Sequence, residues 1–205
     1  FEKHLPNLES RIDNFIKLSA NVGKENIIWR FDPVILNHHH SIDLVIEKIE
    51  KLAQKLHKYT DQLVFSFVDT NYKKVQRKFK KNNTELFELF SEDKKLFASK
   101  LATINKNYSL RISTCAESLD LSQFGISPNK CIDNELIVKN FPHNYDIKNF
   151  LERLVVTNQL KDKGQRKYCS CIPSKDIGRY NSCGYSCLYC YAMHETSALK
   201  DDIFN

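Results

Sequence analysis

Three stretches of this chain read strand-then-helix in succession, with no hairpin turn joining any two strands. That alternation restricts the fold more than any other feature. Asn26 to Phe31, NIIWRF, is a short apolar run closed by Asp32 and Pro33. Gln62 to Val68, QLVFSFV, ends at Asp69, and Leu110 to Thr114, LRIST, runs straight into Cys115, Ala116 and Glu117. Such runs, rich in β-branched and aromatic residues, mark strands. Between the first two lie Ile42, Val45, Ile46, Ile49, Leu52, Ala53 and Leu56, an i, i+3, i+4, i+7 stripe with Ser41 placed to cap it. Strands joined by helices pair in parallel. The expected fold class is therefore α/β, a parallel sheet forming a partial or complete (β/α) barrel-like core over residues 1–160. A cysteine-rich tail over 161–205 follows it.

The remaining elements are assigned by periodicity. Leu8, Ile12, Phe15 and Ile16 predict a helix over Asn7 to Ser19, with Gly23 as its stop. A short helix is expected near Thr84 to Phe90, and a longer one from Ser91 to Asn107. Phe124 to Asp133, FGISPNKCID, reads as a loop around Cys131, and Asp146 to Val156 as a helix burying Ile147, Phe150, Leu151, Leu154 and Val155. The His38, His39 and His40 triplet reads as loop decoration, because adjacent side chains point in different directions.

In a parallel sheet, chemistry collects at the carboxyl ends of the strands. Arg30, Asp32, Ser66, Asp69, Cys115 and Glu117 all lie at or just beyond those ends. Any one of them serves equally as a helix cap or a brace. As a set on one rim they make a candidate site.

Seven cysteines are present, and five fall between Lys167 and Ala192, KYCSCIPSKDIGRYNSCGYSCLYCYA. Cys183, Cys187 and Cys190 follow a C-x3-C-x2-C spacing, and Cys169-x-Cys171 precedes them. Clustered thiolates select soft metals, zinc or iron–sulfur clusters. Zinc more often uses two separated C-x2-C knuckles, whereas one short loop carrying three cysteines suits three corners of a cubane. C-x3-C-x2-C with Tyr189 before its last cysteine resembles the cluster loop of radical SAM enzymes. There, three cysteines hold three irons and S-adenosylmethionine chelates the fourth.

Net charge is +6, and the one dense basic run is Lys73 to Lys81, KKVQRKFKK. It reads as a solvated helix start, with phosphate contact as the alternative. No run approaches the ~20 apolar residues that span a bilayer, and no signal peptide is visible, so a cytoplasmic location is expected. The chain begins at Phe1 and its single methionine is Met193, which predicts a fragment or a processed product.

IIWRFDPV, FSFVDTNYK, STCAE, KCID and CSCIPSKDIGRYNSCGYSCLYCYA together resemble the prokaryotic domain-of-unknown-function family DUF1848, over nearly the whole chain. The resemblance implies an iron–sulfur protein with a barrel-like core. Its cysteine cluster, on Cys183, Cys187 and Cys190, is similar to that of radical SAM enzymes, with Tyr189 and Asn181 as cofactor contacts. Two departures stand out. An N-terminal S-x-RTDIPA-like strand of the family is missing, so only the later βα units are expected. Gly184, Tyr185 and Ser186 replace a usual stretch with a Pro-His pair.

Three functions follow as expectations. A radical SAM-like enzyme would hold a [4Fe–4S] cluster and S-adenosylmethionine, take its electron from a flavodoxin- or ferredoxin-like donor, and use Arg30, Asp32, Asp69, Cys115 and Glu117 around an unspecified substrate. If Cys169 or Cys171 ligates the fourth iron, the protein becomes an electron carrier or a structural module. The third reading is a zinc-stabilised domain that binds nucleic acid.

Overall fold

A computed structural model of the chain describes residues 1–2 and 4–193. Four strands form one sheet in chain order, all parallel: β1 Trp29–Val34, β2 Gln62–Phe67, β3 Arg111–Thr114 and β4 Ser127–Pro128. Six α-helices accompany them: α1 Leu8–Val22, α2 Ile42–Leu56, α3 Lys73–Lys81, α4 Ser91–Asn105, α5 Asn134–Asn140 and α6 Tyr145–Val156. The mixed α/β class and the parallel sheet agree with the sequence. Among the described residues β1 and β4 are the sheet's two edges, and no pairing joins them into a closed barrel. The last part of the expected tail, 194–205, lies outside the described residues.

Helices α1, α2, α5 and α6 start at polar caps. Asn7 accepts the Ser10 N–H at 2.8 Å to open α1, and Ser41 accepts that of Leu44 at 3.3 Å to open α2. Gly23, at φ 85, ends α1 in a conformation open to a residue without Cβ.

Register dictates what each sheet face carries. Phe31, Phe65 and Thr114 lie abreast, as do Arg30, Val64 and Ser113. Side chains alternate along a strand. Leu63, Phe65, Phe67 and Ile112 therefore share one face, and they pack against Ile46, Ile49 and Ala53 of α2 and Phe97 and Leu101 of α4. Phe65 and Phe97 are fully buried, with ring centroids 5.3 Å apart, and Phe67 lies 5.7 Å from Phe65 and 5.4 Å from Phe97. The other face carries a polar row. Gln62 donates to Ser113 Oγ at 3.2 Å and to Asn129 Oδ1 at 2.9 Å, and accepts from Arg111 at 2.6 Å. All six side chains of β2 are buried, so both faces are covered.

Several expectations need correction. The first strand does not close at Asp32 and Pro33: β1 starts at Trp29 and runs through both to Val34, so Arg30 lies near its start. Residues 84–90 form no helix; the helix in that region is the basic run itself, α3, which buries Val75, Lys78 and Phe79. The run satisfies helical spacing with few apolar residues, so charge hid its buried face. The loop expected over Phe124 to Asp133 contains β4, where Pro128 and the shortness of the strand masked the pairing. Helix α5 was absent from the sequence reading, and Asp133 caps it through the Glu135 N–H at 2.8 Å.

Two substitutions test this layering by chemical denaturation. Phe65→Ala is expected to lower stability by about 3–5 kcal/mol through the cavity it leaves. Gln62→Met, which keeps the volume but removes the amide, is expected to cost about 1–3 kcal/mol by stranding Asn129 and Arg111.

Candidate functional site

The polar face ends at the carboxyl side of the sheet in a compact group. Arg30 and Asp32 leave β1 on that face and pair with each other through Nη2 and Oδ2. Asp32 Oδ1 also accepts from the Ser66 hydroxyl at the end of β2. Arg30 Nη1 lies 3.1 Å from Cys131 Sγ, and Cys131 Sγ lies 3.5 Å from Cys115 Sγ at the end of β3. Asn129 Nδ2 is 3.5 Å from Cys131 Sγ, and Arg166 Nη2 is 3.7 Å from Cys115 Sγ. The sheet thus brings together Arg30, Asp32, Ser66 and Cys115 of the expected rim, and adds Cys131, Asn129 and Arg166.

Electrostatics divide the two sulfurs. Hydrogen bonding from Cys115 does most to push the Cys131 thiol down to about 5, with Arg30 and Asn129 adding to it against the effect of burial. Cys115 moves the other way, well above the usual thiol range, through that same bond to Cys131 and its burial. Burial works against the Arg30 charge, but its bonds to Asp32, Cys115 and Cys131 outweigh that and hold it firmly cationic. The two thiols are close enough to titrate as a pair, and their surroundings favour the thiolate at Cys131 and the thiol at Cys115.

Asp69 and Glu117 fall in a second group on the same rim. Asp69 Oδ2 lies 3.8 Å from Arg166 Nη1, and its Oδ1 accepts the Asn71 N–H at 3.0 Å. Glu117 accepts the Phe67 N–H at 3.1 Å and pairs with Lys94 at 2.9 Å, holding the end of β2 to α4. Both line an open cavity of about 860 Å³ with Lys94, Arg166 and Tyr168. Glu117 is thus engaged on both oxygens, as a brace would be.

The cysteine loop reaches this rim from the far end of the chain. Leu188 and Tyr189 pack with Ile35, Val68, Val75 and Phe79, residues that follow β1 and β2 or belong to α3. The Leu188 N–H donates to the Phe1 carbonyl at 2.9 Å, and Lys78, buried on α3, donates to the Cys190 carbonyl at 2.7 Å. Tyr72 and Tyr191 stack at 5.2 Å. Tyr189 donates its hydroxyl to Glu2, and burial followed by that bond raises its pKa. Tyr189 also lines a cavity of about 390 Å³ together with Arg30, Asp32, Arg11, Lys48 and Glu2. Asn181 holds the loop's far side through its N–H to the Ala192 carbonyl at 3.1 Å.

All seven cysteines are free. Cys183 is exposed and Cys187 and Cys190 are half-buried, with the Cys190 N–H turned onto the Cys187 carbonyl at 3.1 Å. Among the described residues no three His, Cys, Asp or Glu side chains converge on a point that one ion would occupy. A cubane places each thiolate on its own iron, so three sulfurs ring it rather than converge. The donor chemistry of the triplet, three free thiols on one short loop, fits such a group. Cys169 and Cys171 are buried elsewhere, against residues 131–132: the Ile132 N–H points at Cys171 Sγ at 3.5 Å, and the Cys171 N–H at Cys169 Sγ at 3.5 Å.

Cys131, Asn129, Lys94 and Arg166 escaped the sequence reading as rim residues. Asn129 takes its place from the β3–β4 register, in which Ser127 lies abreast of Ser113, and a two-residue strand carries no period that would mark it in the sequence. Arg166 carried no local signal. The site predicts a direct titration outcome. Competitive alkylation followed by peptide mass spectrometry at pH 6 should find Cys131 modified roughly tenfold faster than the exposed Cys183. Its much larger thiolate fraction is partly offset by lower nucleophilicity. Its absolute rate should fall about tenfold per pH unit below the Cys131 pKa, and its advantage over Cys183 should shrink as pH rises toward ~8.5, where ordinary thiols ionise.

No described helix is long and apolar enough to cross a membrane. No curated protein and no solved structure matches the chain. The family model described as Domain of unknown function (DUF1848) matches residues 1–192, and the chain, with its cysteine-rich segment inside that match, belongs to this family.

Proposed function

We propose that the chain is an iron–sulfur protein acting as a radical SAM-like enzyme, with Cys183, Cys187 and Cys190 holding a [4Fe–4S] cluster at the carboxyl rim of the sheet. One observation carries the reading: Tyr189, inside the cysteine loop, lines the same cavity as Arg30 and Asp32 of β1. The loop comes last in sequence, but its packing against Ile35 and Val68 supports a place at the mouth of the sheet. Strands in simple chain order, with helices between them, suit an arc of a (β/α) barrel. In this reading the segment 161–205 serves the core 1–160 as its cluster-bearing tail.

When bound, the cluster would deliver one electron to the sulfonium of S-adenosylmethionine and so generate a carbon radical. The protein's own residues bind and orient. Lys78 and the Phe1 carbonyl fix the loop through the main chain of Cys190 and Leu188, leaving the thiols free to ligate. The cavity of about 390 Å³ lies within the ~300–1,000 Å³ typical of small-molecule sites. Its wall mixes Arg11 and Lys48 with Glu2, a lining that suits a zwitterion such as the amino acid end of S-adenosylmethionine. Cys171 Sγ takes the Ile132 N–H and Cys169 Sγ the Cys171 N–H, away from the triplet, which supports three protein ligands and an open fourth iron.

The test is EPR of the chain reconstituted with iron and sulfide without oxygen, then reduced. A [4Fe–4S]⁺ signal that shifts when S-adenosylmethionine is added, and that disappears in Cys183→Ala, Cys187→Ala and Cys190→Ala, is the expected result. A cluster signal indifferent to S-adenosylmethionine would overturn the enzyme reading in favour of electron transfer or structure. About one tightly held zinc per chain, with no cluster, would overturn both.

A further inference from the structure

Two sulfurs at the rim lie outside the cysteine loop and play no part in that reading. Cys115 sits at the end of β3 and is buried; Cys131, just beyond β4, is exposed. Parallel pairing of β3 with β4 brings these positions, sixteen residues apart, to an Sγ–Sγ distance of 3.5 Å. That is the contact distance of two unbonded thiols. Among the described residues no third His, Cys, Asp or Glu joins them around a common point.

We infer that Cys131 and Cys115 form a redox-active dithiol at the strand ends, with Cys131 as the attacking thiolate, Cys115 as the resolving thiol, and a hydroperoxide as the oxidant. The arrangement supplies each part such a site needs. Cys131 is open to solvent, so an oxidant can reach it. Arg30 lies 3.1 Å from its sulfur, is held in place by Asp32, and opposes the negative charge there. Cys115 is withheld from solvent yet in contact with Cys131, and Arg166 approaches it at 3.7 Å. The opposed displacement of the two thiol pKa values, down for Cys131 and up for Cys115, agrees with those roles.

The chemistry balances. The Cys131 thiolate attacks one oxygen of the hydroperoxide, the O–O bond breaks, and the departing alkoxide or hydroxide takes a proton to leave as alcohol or water. Cys131 is now a sulfenic acid. Cys115 loses its proton and attacks that sulfur, an S–S bond forms, and hydroxide leaves and is protonated to water. Two thiols have given up two electrons, and one hydroperoxide has become one alcohol and one water. A second guanidinium, that of Arg166, stands near the sulfur that must ionise in the last step. An external dithiol returns the pair to its reduced form. None of this rests on a cluster bound at Cys183, Cys187 and Cys190.

The experiment uses the full chain, reduced and free of excess reductant, treated with one equivalent of hydrogen peroxide. Remaining thiols are then capped with an alkylating agent, and the peptides mapped by mass spectrometry. The expected product is a Cys115–Cys131 linked peptide formed ahead of any oxidation at Cys183, and reversed by dithiothreitol. Cys115→Ser should instead accumulate Cys131 sulfenic acid, trapped by dimedone. Because the first measurement needs only the unaltered chain, a variant that fails to fold leaves the test intact. Cys115 and Cys131 recovered as separate thiols while Cys183, Cys187 or Cys190 oxidises first would overturn the inference. So would a metal ion retained by the native chain and released when Cys115 or Cys131 is replaced, which would make the pair ligands.

Discussion

The arrangement at the rim depends on β2 being buried on both faces. Its apolar side chains, Leu63, Phe65 and Phe67, are drawn against α2 and α4, and the Phe65–Phe67–Phe97 contacts fix the strand's rotation about its own axis. Alternation then leaves Gln62, Val64 and Ser66 facing the other way under cover. Buried polar groups must find partners or cost free energy. Gln62 finds Ser113, Asn129 and Arg111, and Ser66 finds Asp32. A one-residue slip of β2 would drive the phenylalanines into that polar row and the glutamine into the core. Aromatic packing on one side therefore sets the register in which the polar residues on the other side meet.

The cysteine loop is held by a different kind of interaction. Its anchors are main-chain carbonyls and N–H groups met by Lys78 and Phe1, with Leu188 and Tyr189 as the apolar contacts. Its side chains are engaged at Tyr189, which meets Glu2 and Cys187, and at Tyr191, which stacks on Tyr72. The Lys78 anchor explains the odd composition of α3. Nine residues, KKVQRKFKK, bury only Val75, Lys78 and Phe79, and the lysine snorkels its charge to a carbonyl rather than to solvent. The basic run is a seat for the loop on one face and a solvated surface on the other.

How much of this the sequence made visible follows from the range of each interaction. The strand over Gln62 to Val68 and helix α2 were legible because period and apolar content coincide there. Helix α6 was legible in extent, but it buries Leu151 and Leu154 and leaves the expected Phe150 and Val155 exposed. Strand β4 was not. Two residues, one of them proline, carry no period, and they pair only because β3 offers an open edge. The rim set of Arg30, Asp32, Ser66 and Cys115 could be placed from strand ends alone. Its partners could not: Arg30 meets Cys131 across 101 positions and Arg166 meets Cys115 across 51. Glu117 shows the converse. Its position after β3 marked it for chemistry, but both oxygens are spent on the Phe67 N–H and Lys94.

The fold also separates sulfur by environment. Cys183, Cys187 and Cys190 sit on an exposed loop, with burial raising the Cys187 thiol. Cys131 sits beside a fixed guanidinium that favours the thiolate, and Cys171 is buried beneath the neighbouring Ile132 N–H. A thiolate is stabilised by donors and cations, a thiol by their absence. In the loop, Cys187 meets the Tyr189 side chain, while the Glu2 carboxylate opposes a negative charge on its sulfur. At the rim, Cys115, Arg30 and Asn129 around the Cys131 sulfur lower that thiol's pKa. The two groups therefore place one kind of side chain in two environments, a carboxylate opposing the charge at Cys187 and a guanidinium favouring it at Cys131.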